Sequence, residues 1–236
     1  YGTCSPEGTT ALKETIAMIH EIAPDVPVIL DTKRGDTHDT NALYARADFD
    51  DMQADAITVN PYYGGRALRP FLERKEKGVF VLCLSSEEEA EEYQYQPVVV
   101  GKTERPKVER FLGREIPHNV LLYEYVAFKT AHSWNKNDNC NLVIGATHPD
   151  ELREIRTAID DRMMILSPGI GAQGGSAYKA HTAGRNKKGE GIILSSSRSI
   201  IYASAHDDFA DAARRETKKI AEEIHRAILK AACRLD

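Results

Sequence analysis

The chain has 236 residues, of which 42% are hydrophobic and 28% charged, and its formal net charge is -5 at pH 7. This length predicts one globular domain over residues 1–236, since barrels of alternating strands and helices commonly reach this size as a single unit. The negative charge argues against nucleic acid or an anionic membrane as a partner, although it is compatible with a local basic pocket for a small anion.

The cysteines and histidines show no metal-binding pattern. Cys4, Cys83, Cys140 and Cys233 lie far apart without a Cys-x-x-Cys pair, and the eight histidines show no His-x-His or His-Glu-x-x-His spacing. We therefore expect neither a disulfide framework nor a metal site, and we expect a reducing, cytoplasmic setting. No apolar run approaches the length of a membrane span, and the first residues lack the pattern of a secretory signal.

Short apolar runs alternate with longer amphipathic stretches along the chain. The runs are nearly continuous in Val, Ile and Leu, which is typical of parallel strands covered on both faces. They predict strands over residues 26–33, 56–62, 78–86, 141–147, 163–169 and 191–198. The stretches between them predict helices over residues 10–22, 40–52, 67–75, 119–132 and 149–159, and a terminal helix from about 207. This alternation predicts a parallel α/β fold, either a barrel or a doubly wound sheet.

Residues 87–118 fit this alternation poorly. A run of glutamates is followed there by Lys, Arg and Pro without a clear period. We interpret this region as an elaboration of one connection from strand to helix, and its acidic run as a solvated helix start.

A charged motif, Asp31-Thr32-Lys33-Arg34-Gly35-Asp36, closes the first predicted strand. The period of two places Asp31 and Lys33 on one face of the strand, so that a carboxylate and an ammonium share a site. Gly35 lets the chain turn, which presents Asp36 in a different direction. The structural alternative is a surface salt bridge, but a charged pair that emerges from a buried strand favours acid–base chemistry.

A glycine-rich segment, residues 167–175, follows the fifth predicted strand. Gly169, Gly171 and Gly174 match the dinucleotide fingerprint G-x-G-x-x-G, but that fingerprint belongs after the first strand of its unit. The late position favours a loop whose backbone N–H groups approach a phosphate.

A second phosphate signal, Ser195-Ser196-Ser197-Arg198-Ser199, ends the last predicted strand. Arginine offers a bidentate fork to phosphate oxygens, and the small serines leave room for backbone contacts. The structural alternative is that Arg198 pairs with a carboxylate of a neighbouring helix. In a barrel, a phosphate site recurs after the last two strands, which favours the barrel alternative. The polar segment 178–191 is predicted to be a mobile flap over the ligand.

Together these motifs resemble the orotidine 5'-monophosphate decarboxylase family. Asp31, Lys33, Asp36 and Thr40 match its pattern Asp-x-Lys-x-x-Asp-x-x-x-Thr, and residues 168–175 match Pro-Gly-x-Gly-x-Gln-Gly-Gly. Residues 58–65, Thr-Val-Asn-Pro-Tyr-Tyr-Gly-Gly, are similar to a strand-end segment of the bacterial-type branch. The resemblance covers residues 1–204, and the order and separation of the two motifs make it specific.

The resemblance implies a (β/α)8 barrel that decarboxylates orotidine 5'-monophosphate to uridine 5'-monophosphate and CO2 without a cofactor, in pyrimidine biosynthesis. By this resemblance Lys33 protonates C6 of the pyrimidine once CO2 leaves, and Asp31 lies beside the departing carboxylate. The working unit would be a homodimer in which Asp36 and Thr40 serve the partner's site. Ser86 would read the pyrimidine edge, and phosphate or substrate contacts would come from Pro168, Gln173, Gly174, Ser197 and Arg198.

The sequence departs from the family pattern in three places. Thr37 stands where an apolar residue is usual, and Ser86 runs into a glutamate run in place of a turn with Pro and Gly. The motif strand is normally the third of eight, so two strands, an aspartate for the ribose and a second lysine are unaccounted for. We therefore expect the sequence to be part of a longer polypeptide.

Two alternatives to the decarboxylase remain open at this point. A magnesium-dependent aldolase of the hexulose-phosphate synthase type shares the Asp-x-Lys-x-x-Asp strand. A nucleotide-binding module that has lost catalysis would also keep the phosphate signals. The Gln-Gly-Gly loop and the Asn-Pro-Tyr segment favour the decarboxylase.

Overall fold

The computed structural model describes residues 5–171 and 173–232, without the side chains at 227 and 230–232. By their internal contacts these residues fall into two compact units. The first comprises the chain up to Leu82 together with Lys129–Asn141. The second comprises Cys83–Phe128 and the chain from Leu142 onward.

The first unit begins with a capped helix. The Ser5 hydroxyl accepts a hydrogen bond from the Gly8 N–H at 3.3 Å, and Pro6 occupies the first turn. Its core contains Phe49, Ile57 and Phe71, each at most 1% exposed. Its elements are α1 (Pro6–Ile22), β1 (Ile29–Arg34), α2 (His38–Ala45), a π-helical segment (Arg46–Asp51), β2 (Ala56–Val59), α3 (Gly64–Leu72) and a second π-helical segment (Thr130–Trp134).

Two strands, β3 (Gly78–Leu84) and β6 (Cys140–Ile144), contribute residues to both units. The second unit also contains a 3-10 turn (Glu88–Glu92), β4 (Pro97–Val99), α4 (Arg105–Leu112), β5 (Asn119–Leu121), α5 (Leu122–Lys129, whose last residue belongs to the first unit), α6 (Pro149–Ala158), β7 (Ile165–Pro168), α7 (Ala177–Gly184), β8 (Ile192–Ser195), α8 (Arg198–Ile201) and α9 (Phe209–Ala232).

Six strands form one sheet in the order β1-β2-β3-β6-β7-β8. The pairs β1·β2, β2·β3, β6·β7 and β7·β8 are parallel, and each strand's neighbour is the next strand of this sheet along the chain. A doubly wound sheet reverses this order at a switch point, whereas a barrel keeps one direction. The strand order therefore confirms the six predicted strands and favours the (β/α)8-type fold over the doubly wound alternative.

Several predicted element ends were wrong. β2 ends at Val59, short of the predicted residue 62, since Pro61 has no N–H to continue a ladder. β8 ends at Ser195, so Arg198 is the first residue of the short helix α8 and does not belong to the strand. α2 begins at His38, earlier than predicted, and its continuation is π-helical.

The sequence prediction was least accurate for the regions that lack a clear hydrophobic period. Residues 87–118 contain α4, and β4 within them pairs antiparallel with β5 (Pro97 opposite Leu121). The predicted flap, residues 178–191, was wrong over its first half, because α7 covers Ala177–Gly184 and buries Ala180 and His181. Residues that are buried in a packed helix cannot serve as a freely moving lid.

Arg156 of α6 anchors the strands that carry the glycine-rich and serine-rich loops. Its Nε donates to the Gly184 carbonyl at 2.8 Å, and its Nη2 donates to the carbonyls of Met163 and Gly191 at 2.9 Å each. Met163 precedes β7 and Gly191 precedes β8. Burial lowers the pKa of this guanidinium to about 10. A single side chain thus holds the starts of both strands in place.

The cysteines within the described range are free thiols. Cys83 and Cys140 are both buried, and burial raises the pKa of the Cys140 thiol to about 12. Cys4 and Cys233 lie outside the described residues. Over the part of the chain that the structure describes, no helix has both the length and the apolar character needed to span a bilayer.

Candidate functional site

Asp31, Lys33 and Thr58 form a hydrogen-bonded group in the first unit, called the lysine cluster below. Lys33 Nζ donates to Asp31 Oδ2 at 2.6 Å, and the two side chains are 55% and 53% exposed. The Thr58 hydroxyl, which is buried, donates to Asp31 Oδ1 at 2.6 Å. The predicted sharing of one strand face by Asp31 and Lys33 is therefore confirmed, and the ammonium remains accessible to a ligand.

Lys33 has an unusual backbone conformation. Its φ of +48° lies in the left-handed region, which costs a non-glycine residue on the order of 1 kcal/mol. The pairing of β1 with β2 shifts its register between Leu30 and Arg34, which is where Lys33 lies. The Lys33 N–H donates to Thr58 Oγ1 at 2.9 Å. Backbone strain of this kind concentrates at functional sites, where the surrounding structure holds it.

Arg34 points to the other face of β1, as the period of two predicts. It forms a bidentate pair with the carboxylate of Asp48, with distances of 2.9 Å from Nε and 2.8 Å from Nη2. Its guanidinium also lies 4.3 Å from the centre of the Tyr44 ring. The hydrogen bonds to Asp48, which is 1% exposed, raise the pKa of Arg34. Arg34 therefore stabilises the unit and leaves Lys33 as the motif's accessible cation.

Asp36 and Thr40 lie at the start of α2. The Asp36 carboxylate accepts a hydrogen bond from the Thr37 N–H at 2.6 Å, and the Thr40 hydroxyl lies 3.3 Å from that of Thr37. The buried Asn41 fixes this turn by accepting from the Asp36 N–H at 3.1 Å and donating to the Asp36 carbonyl at 2.8 Å. Within the described first unit, no hydrogen bond or ion pair joins Asp36 to Lys33. The site residues Asp36 and Lys33 are thus held by separate contacts.

Gly35 lies between Lys33 and Asp36, where the backbone passes close to Asn60. A Cβ at this position would lie 2.8 Å from the Cβ of Asn60 and 3.0 Å from its carbonyl oxygen. Only glycine permits this close approach of two strand ends.

The glycine-rich loop lies in the second unit, after β7. Gly169, Gly171 and Gly174 have φ values of +100°, +81° and +85°, which glycine adopts readily. The loop closes on itself, since the Gly175 N–H donates to the Gly169 carbonyl at 3.0 Å. A Cβ at Gly169 would lie 2.9 Å from the Cβ of Ser86 and 3.0 Å from Gln173 Oε1. The loop can therefore bring its backbone close to other groups.

Ser86, Gln173 and Glu87 form a chain of side-chain hydrogen bonds beside this loop. The Ser86 hydroxyl donates to Gln173 Oε1 at 2.8 Å. Gln173 Nε2 donates to Glu87 Oε1 at 2.9 Å. The amide of Gln173 is thereby held between a donor and an acceptor, with its NH2 group turned toward a carboxylate.

Glu87 and Gln173 border a cavity of about 320 Å³, called the anion pocket below. Ser196 connects its two loops by donating to the Ile170 carbonyl at 3.1 Å. Arg198 is exposed, and among the described residues no carboxylate forms an ion pair with it, so its predicted structural alternative is not observed. The pocket is lined by Glu87, Pro168, Gly169, Ile170, Gln173, Ser195, Ser196, Ser197 and Arg198.

Residues 3–215 match the model of the Orotidine 5'-phosphate decarboxylase / HUMPS family. The chain belongs to this family.

Similar bacterial proteins are named orotidine 5'-phosphate decarboxylase. The chain is 40% identical over 216 residues to the orotidine 5'-phosphate decarboxylase of Cellvibrio japonicus (strain Ueda107), covering 92% of this chain and 72% of that one. It is 42% identical over 204 residues to that of Ralstonia pickettii (strain 12J), covering 86% and 68%.

Solved structures agree with the fold. The Leishmania donovani OMP decarboxylase has a TM-score of 0.73 and 34% identity, with 95% of this chain and 76% of that chain covered. The Leishmania donovani UMP synthase has a TM-score of 0.73 and 36% identity, but the chain spans only 44% of its length. The predicted (β/α)8 fold class and family are both confirmed.

Sequence reasoning missed two residues of this family member's candidate site. Thr58 was noticed only as part of a similar segment, although a lone hydroxyl in a strand whose four residues are all buried is a usable signal. Glu87 was interpreted as the start of a solvated run, yet it contacts Gln173 and lines the anion pocket. In the described residues, no group of three or more His, Cys, Asp or Glu side chains is arranged to hold a metal ion.

Proposed function

We propose that this protein decarboxylates orotidine 5'-monophosphate to uridine 5'-monophosphate and CO2, using its own side chains. The observation that carries the proposal is the lysine cluster. In it the accessible ammonium of Lys33 is hydrogen-bonded to Asp31 at 2.6 Å, and the Lys33 backbone is strained. The names of the bacterial relatives support this substrate.

The proposed step needs one proton donor and one source of electrostatic stabilisation. The bond between C6 and the carboxylate breaks, CO2 leaves, and the electron pair stays on C6. The Lys33 ammonium stabilises this developing negative charge and then transfers its proton to C6, after which solvent restores the ammonium. Asp31 orients the ammonium through a charge-assisted hydrogen bond. Each tenfold gain in rate requires about 1.4 kcal/mol of transition-state stabilisation.

The anion pocket is proposed to hold the phosphate of the nucleotide. The Arg198 fork and the N–H groups of the glycine-rich loop supply donors to phosphate oxygens. Gln173 adds an amide donor once its NH2 group leaves Glu87, and Pro168, Gly174 and Ser197 shape the surrounding backbone. Ser86 is proposed to read the pyrimidine edge. Binding energy from a non-reacting phosphate lowers the barrier only where it is used in the transition state.

We also propose that the working unit is a homodimer in which Asp36 and Thr40 serve the partner's site. The large side chains of Leu43, Tyr62 and Tyr63 in the first unit are 68%, 73% and 56% exposed. Their exposure supports an interface between subunits on this unit. Mixing Lys33→Ala and Asp36→Ala subunits tests this, since shared sites restore activity in the mixture. A mixture that stays as inactive as its parts would argue against shared sites.

The decisive activity assay uses orotidine monophosphate in excess chelator. Decarboxylation by the full chain under these conditions is the expected result. No decarboxylation with or without chelator, together with magnesium-dependent aldol cleavage of a hexulose phosphate, would favour the aldolase-type member of the same family. Binding of uridine monophosphate without any turnover would favour the inactive nucleotide-binding module.

A further inference from the structure

Thr58 is a polar residue in an otherwise apolar buried strand. It is 1% exposed, and its neighbours Ile57 and Val59 are both 0% exposed. A buried hydroxyl destabilises the folded state unless it forms hydrogen bonds. Both hydrogen bonds that this hydroxyl makes are directed at the charged motif of β1, and not at the core.

The two hydrogen bonds complete a ring. Thr58 Oγ1 donates to Asp31 Oδ1 at 2.6 Å and accepts the Lys33 N–H at 2.9 Å, while Lys33 Nζ donates to Asp31 Oδ2 at 2.6 Å. Both oxygens of the Asp31 carboxylate are therefore occupied, one by the ammonium and one by the hydroxyl. The carboxylate cannot rotate without breaking one of these bonds.

The Thr58 hydroxyl also takes the place of a backbone acceptor for the Lys33 N–H, at the point where the pairing of β1 and β2 shifts its register. The register between β1 and β2 shifts between Leu30 and Arg34, and Lys33 has a φ of +48° there. The Lys33 N–H would lose its strand partner at this shift, and the Thr58 side chain supplies the acceptor. Without it, the strained conformation of Lys33 would lose a hydrogen bond that holds it in place.

We infer that Thr58 is a positioning residue, which fixes the Lys33 backbone and the Asp31 carboxylate so that the ammonium meets the reacting carbon. This inference rests on the proposed function. Thr58 is proposed to act through Lys33 and Asp31, without touching the substrate. Its loss should therefore lower kcat, whereas KM should change little because the phosphate is held by other residues.

The test compares variants at Thr58 with a matched hydroxyl on the same pair of strands. Thr58→Val keeps the shape and removes the hydroxyl, and Thr58→Ser keeps the hydroxyl. Thr32→Val is the control, since the Thr32 hydroxyl donates at 3.4 Å to the backbone carbonyl of Thr58 and, among the described residues, forms no hydrogen bond with the side chains of the cluster. We expect Thr58→Val to lower kcat by roughly 10- to 100-fold with KM changed less than about threefold, as loss of these two hydrogen bonds allows. Thr58→Ser and Thr32→Val should stay within about fivefold of the parent kcat.

A second readout does not depend on catalysis. Hydrogen exchange at the Lys33 amide, followed by NMR, should become faster in Thr58→Val and remain slow in Thr58→Ser and Thr32→Val. Thr58→Ala gives the same comparison if the valine variant does not fold. Parent-like kcat together with a protected Lys33 amide in the hydroxyl-free variant would overturn the inference. An inactive parent whose Lys33 amide still depends on Thr58 would overturn the proposed function and leave the positioning of Lys33 standing.

Discussion

At the scale of single residues, Glu87 places a negative charge in a pocket proposed for a phosphate dianion. Its Oε1 accepts the Gln173 amide at 2.9 Å, and it lines the same cavity as Arg198. A carboxylate repels an anionic ligand and also competes with it for the amide of Gln173. Glu87 should therefore weaken phosphate binding, in contrast to every other polar side chain of the pocket.

The prediction is that Glu87→Gln binds uridine monophosphate about three- to tenfold more tightly than the parent, a range expected for one partly screened charge. Isothermal titration at low and high salt measures this, and the gain should shrink as salt increases. Glu88→Gln is the matched control, because it removes a neighbouring exposed carboxylate that does not border the pocket among the described residues. Unchanged or weaker binding in Glu87→Gln would contradict the charge argument.

The residues of the lysine cluster show how far a sequence pattern reaches. The period of two predicted that Asp31 and Lys33 share a face, and the 2.6 Å contact confirms it. The partner hydroxyl of Thr58 was not predictable in the same way, because it depends on how β1 pairs with β2. The register shift near Lys33 alters that pairing locally, and the hydrophobic periodicity of the two strands does not predict this shift.

At the scale of elements, α7 shows why a polar, glycine-bearing segment was mistaken for a flap. Its exposed polar residues, Lys179 and Thr182, lie one turn apart, whereas Ala180, His181 and Ala183 are at most 3% exposed. Small side chains carry a weak hydrophobic signal, so the amphipathic pattern of this helix was not apparent from composition. The strands were easier to predict because their Val, Ile and Leu residues are large and contiguous.

The buried His181 makes a prediction about pH. Burial lowers its pKa below the usual value, and the charge of Arg185 lowers it further. The unfolded chain takes up a proton near pH 6.5, whereas the folded helix resists it, so stability is fully present above that pH and declines as pH falls below it. The decline from one such group approaches about 1.4 kcal/mol per pH unit until the folded pKa is reached.

Urea denaturation at pH 7.5, 6.5 and 5.5 measures this effect. His181→Gln should lose less stability than the parent between pH 6.5 and 5.5, because it has no imidazole to protonate. His206→Gln is the control, since it removes an exposed histidine in place of the buried one. A parent and a His181→Gln variant with equal slopes would exclude His181 as the cause.

At the scale of the whole molecule, the alternation of strands and helices predicted the fold class but could not choose the order of the strands. That order, β1-β2-β3-β6-β7-β8, follows from the pairing of backbone groups, which residue types do not specify. The positions of the phosphate signals late in the chain gave the correct choice indirectly. The antiparallel pair β4·β5 was missed because its strands are three residues each, too short to show a period.

In the proposed function, the Lys33 ammonium carries the chemistry and the anion pocket binds the phosphate. The most direct measurement follows the conversion of orotidine monophosphate by Lys33→Ala and Arg198→Ala beside the parent, together with the affinity of each for uridine monophosphate. We expect Lys33→Ala to lose turnover and keep most of its affinity, and Arg198→Ala to lose mainly affinity. Substantial turnover by Lys33→Ala, or equal losses of rate and affinity in both variants, would contradict the account.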